Sequence, residues 1–171
     1  AERLVGDWER MFVKPCRIKS DADVTHQDIE RYNLILYGGP EVNKITALVI
    51  GKLPIRISRE GVLVGTRRFA GDDVGLKLCY PNPLNPDRYV VIFAGTTWRG
   101  LYQIVNRFGN WFHWGPFDNR NWFDYGVFDD RTRSPETFLC FGYFDMHWRL
   151  DKRFEWSGDE KARRASAPRI L

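Results

Sequence analysis

The chain has 171 residues, a mass of 20.1 kDa, 43% apolar and 28% charged residues, and a formal charge of +4. This is one domain's worth of chain, able to bury roughly 70% of its unfolded surface and too apolar to stay disordered throughout. The longest apolar run, Ile45–Gly51, is broken by Thr46 and falls far short of the ~20 residues of a membrane span.

The first segment, AERLVGDWERMF, places Leu4, Trp8 and Met11 at helical spacing. It carries no N-cap, which leads us to expect an upstream strand and loop outside this chain. FVKPCRIK reads as a short strand, pushed towards an edge by Pro15. Thr25 followed by Asp28 resembles a capping box, with Ile29 and Tyr32 as the apolar stripe of a short helix. The run Asn33–Tyr37 is continuously apolar, as a strand covered on both faces would be. It ends in Gly38-Gly39-Pro40, and EVNKITALVIGKLP follows as a helix stopped near Gly51 and Pro54.

Ile55–Ile57 and Val62–Val64 read as a hairpin. Val74–Tyr80 and Tyr89–Ala94 are two further strands around the stiff turn PNPLNPD. Thr96–Phe108 reads as a helix with Leu101, Ile104, Val105 and Phe108 on one face. Beyond it the composition changes: sixteen of the twenty-six aromatic residues fall between Phe108 and Trp156, and FDYGVF and TFLCFGYFD read as final strands. The expected organisation is one α/β domain over residues 1–156 and a polar tail over 157–171. The expected fold is a flavodoxin-like or Rossmann-like three-layer sandwich, with a mostly parallel sheet that lacks its first strand and an added hairpin.

The basic residues are scattered, apart from Arg67-Arg68 and the tail residues Lys161, Arg163 and Arg164, so nucleic acid is not expected as a partner. Cys16, Cys79 and Cys140 are odd in number and far apart, which excludes a disulfide framework and a Cys-x-x-Cys zinc site; buried free thiols or a single disulfide remain.

Two loops carry the features of a strand-end ligand site. Gly38, Gly39 and Asn43 follow a buried strand and open a helix, and Gly95 and Thr96 repeat the arrangement. Open α/β sheets bind ligands at such ends, and a helix N-terminus offers N–H groups to an anion. The same residues also make an ordinary tight turn with a cap, and no dinucleotide fingerprint is present, so no cofactor is expected. Asn82 and Asn85 in the PNPLNPD turn suit either a preorganised recognition loop or a rigid hairpin.

No Gly-x-Ser-x-Gly elbow surrounds Ser20, Ser58, Ser134, Ser157 or Ser166, and no local signature pairs a cysteine with His26, His113 or His147, so no catalytic residue is assigned. Asp129-Asp130 would point to opposite faces of a strand, which favours a strand end capped by Arg131. His113, Asp118 and His147 match no metal-ligand spacing, and no metal is expected. The segment NWFHWGPFDNRNWFDY offers Trp111, Trp114, Trp122, Asn119 and Arg120 as a contact surface, for a neighbouring domain or, alternatively, for carbohydrate.

Several stretches together carry a resemblance. DADVTHQDIERYNLILYGGPEVN, KLPIRI, YPNPLNPDRYVVIFAGT, NWFDYGVFDDRT and ETFLCFGYFD resemble the C-terminal portion of large bacterial proteins related to prolyl oligopeptidase-type α/β-hydrolases, over about Asp21 to Trp148. The resemblance implies a non-catalytic accessory or interaction domain of an esterase or peptidase whose serine nucleophile lies upstream. Its partner would be that hydrolase domain of the same polypeptide or another subunit, and its location secreted or periplasmic if the parent carries a signal peptide. A small stand-alone hydrolase with a site near Gly38, Asn82 and Gly95 is the alternative from another class.

Overall fold

The computed structural model describes residues 5, 6, 9, 15–107 and 123–159. The strands are β1 (Leu34–Tyr37), β2 (Ile55–Ser58), β3 (Gly61–Val64), β4 (Arg67–Phe69), β5 (Gly75–Asn82), β6 (Asn85–Gly95), β7 (Tyr125–Phe128), β8 (Cys140–Phe144) and β9 (Leu150–Trp156). The helices are α1 (His26–Arg31), α2 (Lys44–Ile50) and α3 (Trp98–Arg107). The larger sheet has the order β1-β6-β5-β7-β8-β9, and β2-β3-β4 form a small second sheet.

The expected mostly parallel, flavodoxin-like or Rossmann-like sheet is contradicted. Among the described strands only β1 and β6 run parallel; β5–β6, β5–β7, β7–β8 and β8–β9 are all antiparallel. The reason lies in the connections. A parallel neighbour needs a long crossover, whereas strands joined by a tight turn must reverse. In PNPLNPD, Pro81-Asn82 end β5 and Asn85 opens β6, so only Pro83-Leu84 are left to turn the chain. The Asn82 carboxamide oxygen accepts the Leu84 N–H at 3.0 Å, and that of Asn85 accepts the Asp87 N–H at 3.2 Å. The stretch is a hairpin between adjacent strands.

The large sheet is a mixed one with a covered layer on each face. Leu36, Ile92, Leu76, Leu78, Tyr125, Val127 and Cys140 point to one face, where Ile45 and Val49 of α2 and Ile55, Ile57, Val62 and Val64 of the small sheet close the core. Alternate residues Phe93, Val91 and Phe128 point to the other face, against Phe123, Phe138 and Leu101 of α3. The apolar run of β1 therefore serves both faces, although β1 lies at the sheet's edge.

Local chemistry sets the ends of the elements. The Thr25 hydroxyl accepts the Asp28 N–H while the Asp28 carboxylate accepts the Thr25 N–H, closing the capping box of α1. Val5, Gly6 and Glu9 of the predicted N-terminal helix are helical, while Leu4, Trp8 and Met11 lie outside the described residues. Of the predicted strand FVKPCRIK, residues 15–19 are described and join neither sheet. Two strands, β4 and β9, are not among those expected from the sequence. Residues 157–159, the start of the predicted tail, touch the body: the Gly158 and Asp159 N–H groups donate to Phe138 O and Glu136 O. Cys16, Cys79 and Cys140 are free thiols, and Cys140 is buried. No helix among the described residues is long and apolar enough to cross a membrane.

Candidate functional site

The parallel pair brings the two predicted strand-end loops together. Gly39 and Gly95 lie side by side, a Cβ on Gly39 falling 3.8 Å from Gly95 O. Their polar groups are already engaged. Gly38, at φ 105°, donates its N–H to Phe93 O at 2.8 Å, and a Cβ there would meet Val42 at 2.7 Å. The helix starts at Lys44 rather than at Pro40. Asn43 caps it, its Oδ1 accepting the Ile45 and Thr46 N–H groups at 3.0 Å while its Nδ2 donates to Tyr37 O. The Lys44 N–H goes to the Asp21 carboxylate at 2.8 Å and holds that carboxyl below its usual range. The first N–H groups of α2 are thus satisfied by protein.

Thr96 is buried, and its hydroxyl lies 2.6 Å from Gly71 O and 3.1 Å from Val74 O. Thr97 caps α3 by accepting the Arg99 N–H at 3.1 Å. Asn82 and Asn85 do not join this group. The β5–β6 register pairs Gly75 with Gly95 and Asn82 with Asn85, so the asparagines lie at the opposite end of the sheet. There the Asn85 Nδ2 donates to Ile29 O and Glu30 O and ties α1 to the hairpin. A single site containing Gly38, Asn82 and Gly95 does not form. Trp111, Trp114, Asn119, Arg120 and Trp122, with His113 and Asp118, lie outside the described residues.

A pocket of about 810 Å³ opens at the Gly95 end of the sheet, lined by Asp72, Asp73, Trp98, Arg99, Tyr102, Gln103 and Asp130. Its size suits a small ligand. Trp98 and Tyr102 stand one helical turn apart on α3, 71% and 55% exposed, with ring centroids 6.2 Å apart and edge-on. Leu101, between them in sequence, turns inward to the core.

The acidic wall follows from sheet register. Gly75 pairs with Phe128, so continuing the antiparallel ladder puts Asp73 opposite Asp130. The Asp130 N–H donates to Asp73 Oδ2 at 2.9 Å. Burial, a shared hydrogen bond with Asp73 and that residue's charge raise the Asp130 carboxyl above its usual range. Asp129 is 3% exposed; its carboxylate accepts the Arg131 N–H at 3.0 Å and both Arg131 Nε and Nη2 at 3.3 Å. Arg131 does cap the strand end, as expected. The two aspartates nevertheless gather with Asp73, because they lie in the turn past β7, where strand alternation no longer separates them. Gln103, 9% exposed, also lines the pocket, and its side-chain carbonyl has no hydrogen-bond partner among the described residues.

Burial pushes the Cys79 thiol up and the Cys140 thiol to about 12, away from the reactive thiolate. His26 pairs with Glu30 at 3.1 Å, and the His147 N–H donates to Asp145; no hydrogen bond links either histidine to a serine or cysteine among the described residues.

A second surface lies on the strands β8 and β9. Tyr143, Phe154 and Trp156 are exposed there, with Trp156 stacked on Phe141 at 5.7 Å and edge-on to Tyr143 at 6.1 Å. Neither this surface nor the pocket is among the sites expected from the sequence. Their signals were the i, i+4 spacing of Trp98 and Tyr102, the Asp pairs 72–73 and 129–130, and the alternation of LDKRFEW. Comparisons with protein-family models, with curated proteins and with solved structures give no match.

Proposed function

We propose that this chain is a non-catalytic accessory module of a hydrolase of the prolyl oligopeptidase type, and that it holds carbohydrate in the pocket beside α3. The observation that carries the reading is the pairing of an exposed Trp98–Tyr102 wall with the carboxylates of Asp72, Asp73 and Asp130. Sugar rings present C–H faces that stack on aromatic rings and hydroxyls that donate to carboxylates, so this mixture suits them. Bond cleavage would belong to the serine of the upstream hydrolase that the sequence resemblance implies. The rings of Tyr143, Phe154 and Trp156 give the module an apolar face for that neighbour.

One study tests both halves. Calorimetric titration of the chain with neutral and amino-sugar oligosaccharides should show binding that Trp98→Ala weakens at least tenfold, about 1.4 kcal/mol. Cross-linking of the intact polypeptide should join Lys152, on the same strand as Phe154 and Trp156, to the hydrolase domain. Saturating oligosaccharide without heat or competition, or equal binding by the variant, sinks the carbohydrate assignment. Absence of Lys152 cross-links sinks the docking face.

A further inference from the structure

We propose that Asp73, Asp129 and Asp130, together with the side-chain carbonyl of Gln103, form a calcium site in the wall of the α3 pocket. One ligand oxygen from each of the three carboxylates lies within 4.8 Å of the others. Two oxygens bound to one calcium ion at ~2.4 Å can be at most about 4.8 Å apart, so the spacing fits a shared ion. The strands on either side bring the two acidic turns together. Asp73 precedes β5, Asp129 and Asp130 follow β7, and the β5–β7 register sets Asp73 opposite Asp130. Carboxylates gathered this closely repel when ionised, and a divalent cation between them reverses that repulsion.

Gln103 supplies the independent observation. It comes from α3, an element unrelated to the two acidic turns, and lines the same pocket as Asp73 and Asp130. Its side chain is nine-tenths buried and its carbonyl oxygen accepts no hydrogen bond among the described residues. A buried carbonyl without a donor is costly, and a cation at the carboxylates would satisfy it. The donor set is oxygen alone, with neither histidine nor cysteine in the cluster, which points to a hard cation. An amide carbonyl combined with carboxylates from two irregular turns suits the adaptable shell of calcium better than the strict octahedron of magnesium. Arg131, already on Asp129, and Arg99, on the pocket wall, temper the negative charge of the cluster.

The test is terbium luminescence and thermal unfolding on chain stripped with EDTA. Terbium substitutes for calcium, and Trp98 and Tyr102 are placed to sensitise it. Terbium emission should saturate, calcium should displace it, and magnesium should displace it at least tenfold less well. Calcium should also raise the unfolding temperature. Asp73→Asn should weaken the ion at least tenfold. Gln103→Leu separates a ligand from a merely structural residue: it should raise the unfolding temperature in EDTA, by removing the unsatisfied carbonyl, yet reduce the stabilisation by calcium. Emission and calcium response unchanged in both variants overturn the site; equal displacement by magnesium overturns the calcium assignment. The inference does not rest on the carbohydrate reading, since Trp98→Ala should lose sugar and keep the calcium-induced rise in unfolding temperature.

Discussion

Lys77 stands on β5 with its ammonium 5.2 Å from the centre of the Phe123 ring. Burial pulls its pKa from 10.5 down to about 8, against the opposing pull of Cys79 and Asp124. The folded chain therefore releases this proton near pH 8, while the unfolded chain keeps it until about 10.5. Between those values the unfolded state binds more protons, so this group's contribution to stability rises with pH; below pH 8 its buried charge costs the most. Lys77→Met has no such titration. Urea unfolding at pH 7 and at pH 10 should show any advantage of the variant over the wild type shrinking at the higher pH. A stability difference that stays constant between the two would show that the buried ammonium is not the cause. The aspartates at the pocket illustrate another limit of single-residue reasoning: Asp129 and Asp130 read as opposed neighbours, and only the register of β5 and β7 reveals Asp73 as their companion.

Helix α3 is seated by two glycines that face one another. A Cβ on Gly100 would fall 2.1 Å from Val74 O, and one on Gly95 would fall 2.3 Å from the Leu101 N. Both obstacles are backbone, which no side-chain rotation relieves. Gly100→Ala should cost roughly 3 kcal/mol in chemical denaturation, as the helix is forced off the sheet that positions Trp98 and Tyr102; an alanine variant of wild-type stability would mean that the helix shifts freely. Elements set by local chemistry were legible in the sequence. The capping box at Thr25, the stop of α2 near Gly51, the β2–β3 hairpin and the cap of α3 each depend on residues within a few positions of one another. Strand direction was not legible, because an apolar strand reads alike in parallel and antiparallel sheets. The decisive clue was the shortness of the PNPLNPD turn. β4 escaped notice because Arg67-Arg68-Phe69 is three residues long and basic, and β9 because its alternation is carried by charged residues.

At the scale of the whole molecule, the two sheets are joined by polar links as well as by the shared core. Arg67, on β4, pairs with Glu155 on β9 and donates to the Ser157 hydroxyl at 3.1 Å, and Glu155 in turn accepts the Tyr125 hydroxyl at 3.1 Å. The charged residues Lys152 and Arg153 on β9 disfavour edge-to-edge pairing with another strand. The opposite edge has a different history. β5 and β6 meet across a two-residue turn, but Leu34 of β1 reaches Val90 only after α2 and the small sheet have been threaded between them. Local pairings form before distant ones, so the hairpin is expected in the folding nucleus and β1 is expected to dock late. Leu36→Ala, in β1, should speed unfolding and leave the folding rate nearly unchanged, whereas Leu78→Ala, in β5, should slow folding; stopped-flow measurements giving the reverse pattern would place β1 in the nucleus. Until β1 arrives, the outer edge of β6 is an open apolar template. Refolding yield should then be limited by encounters between half-folded copies, and β1 is the cover that ends them.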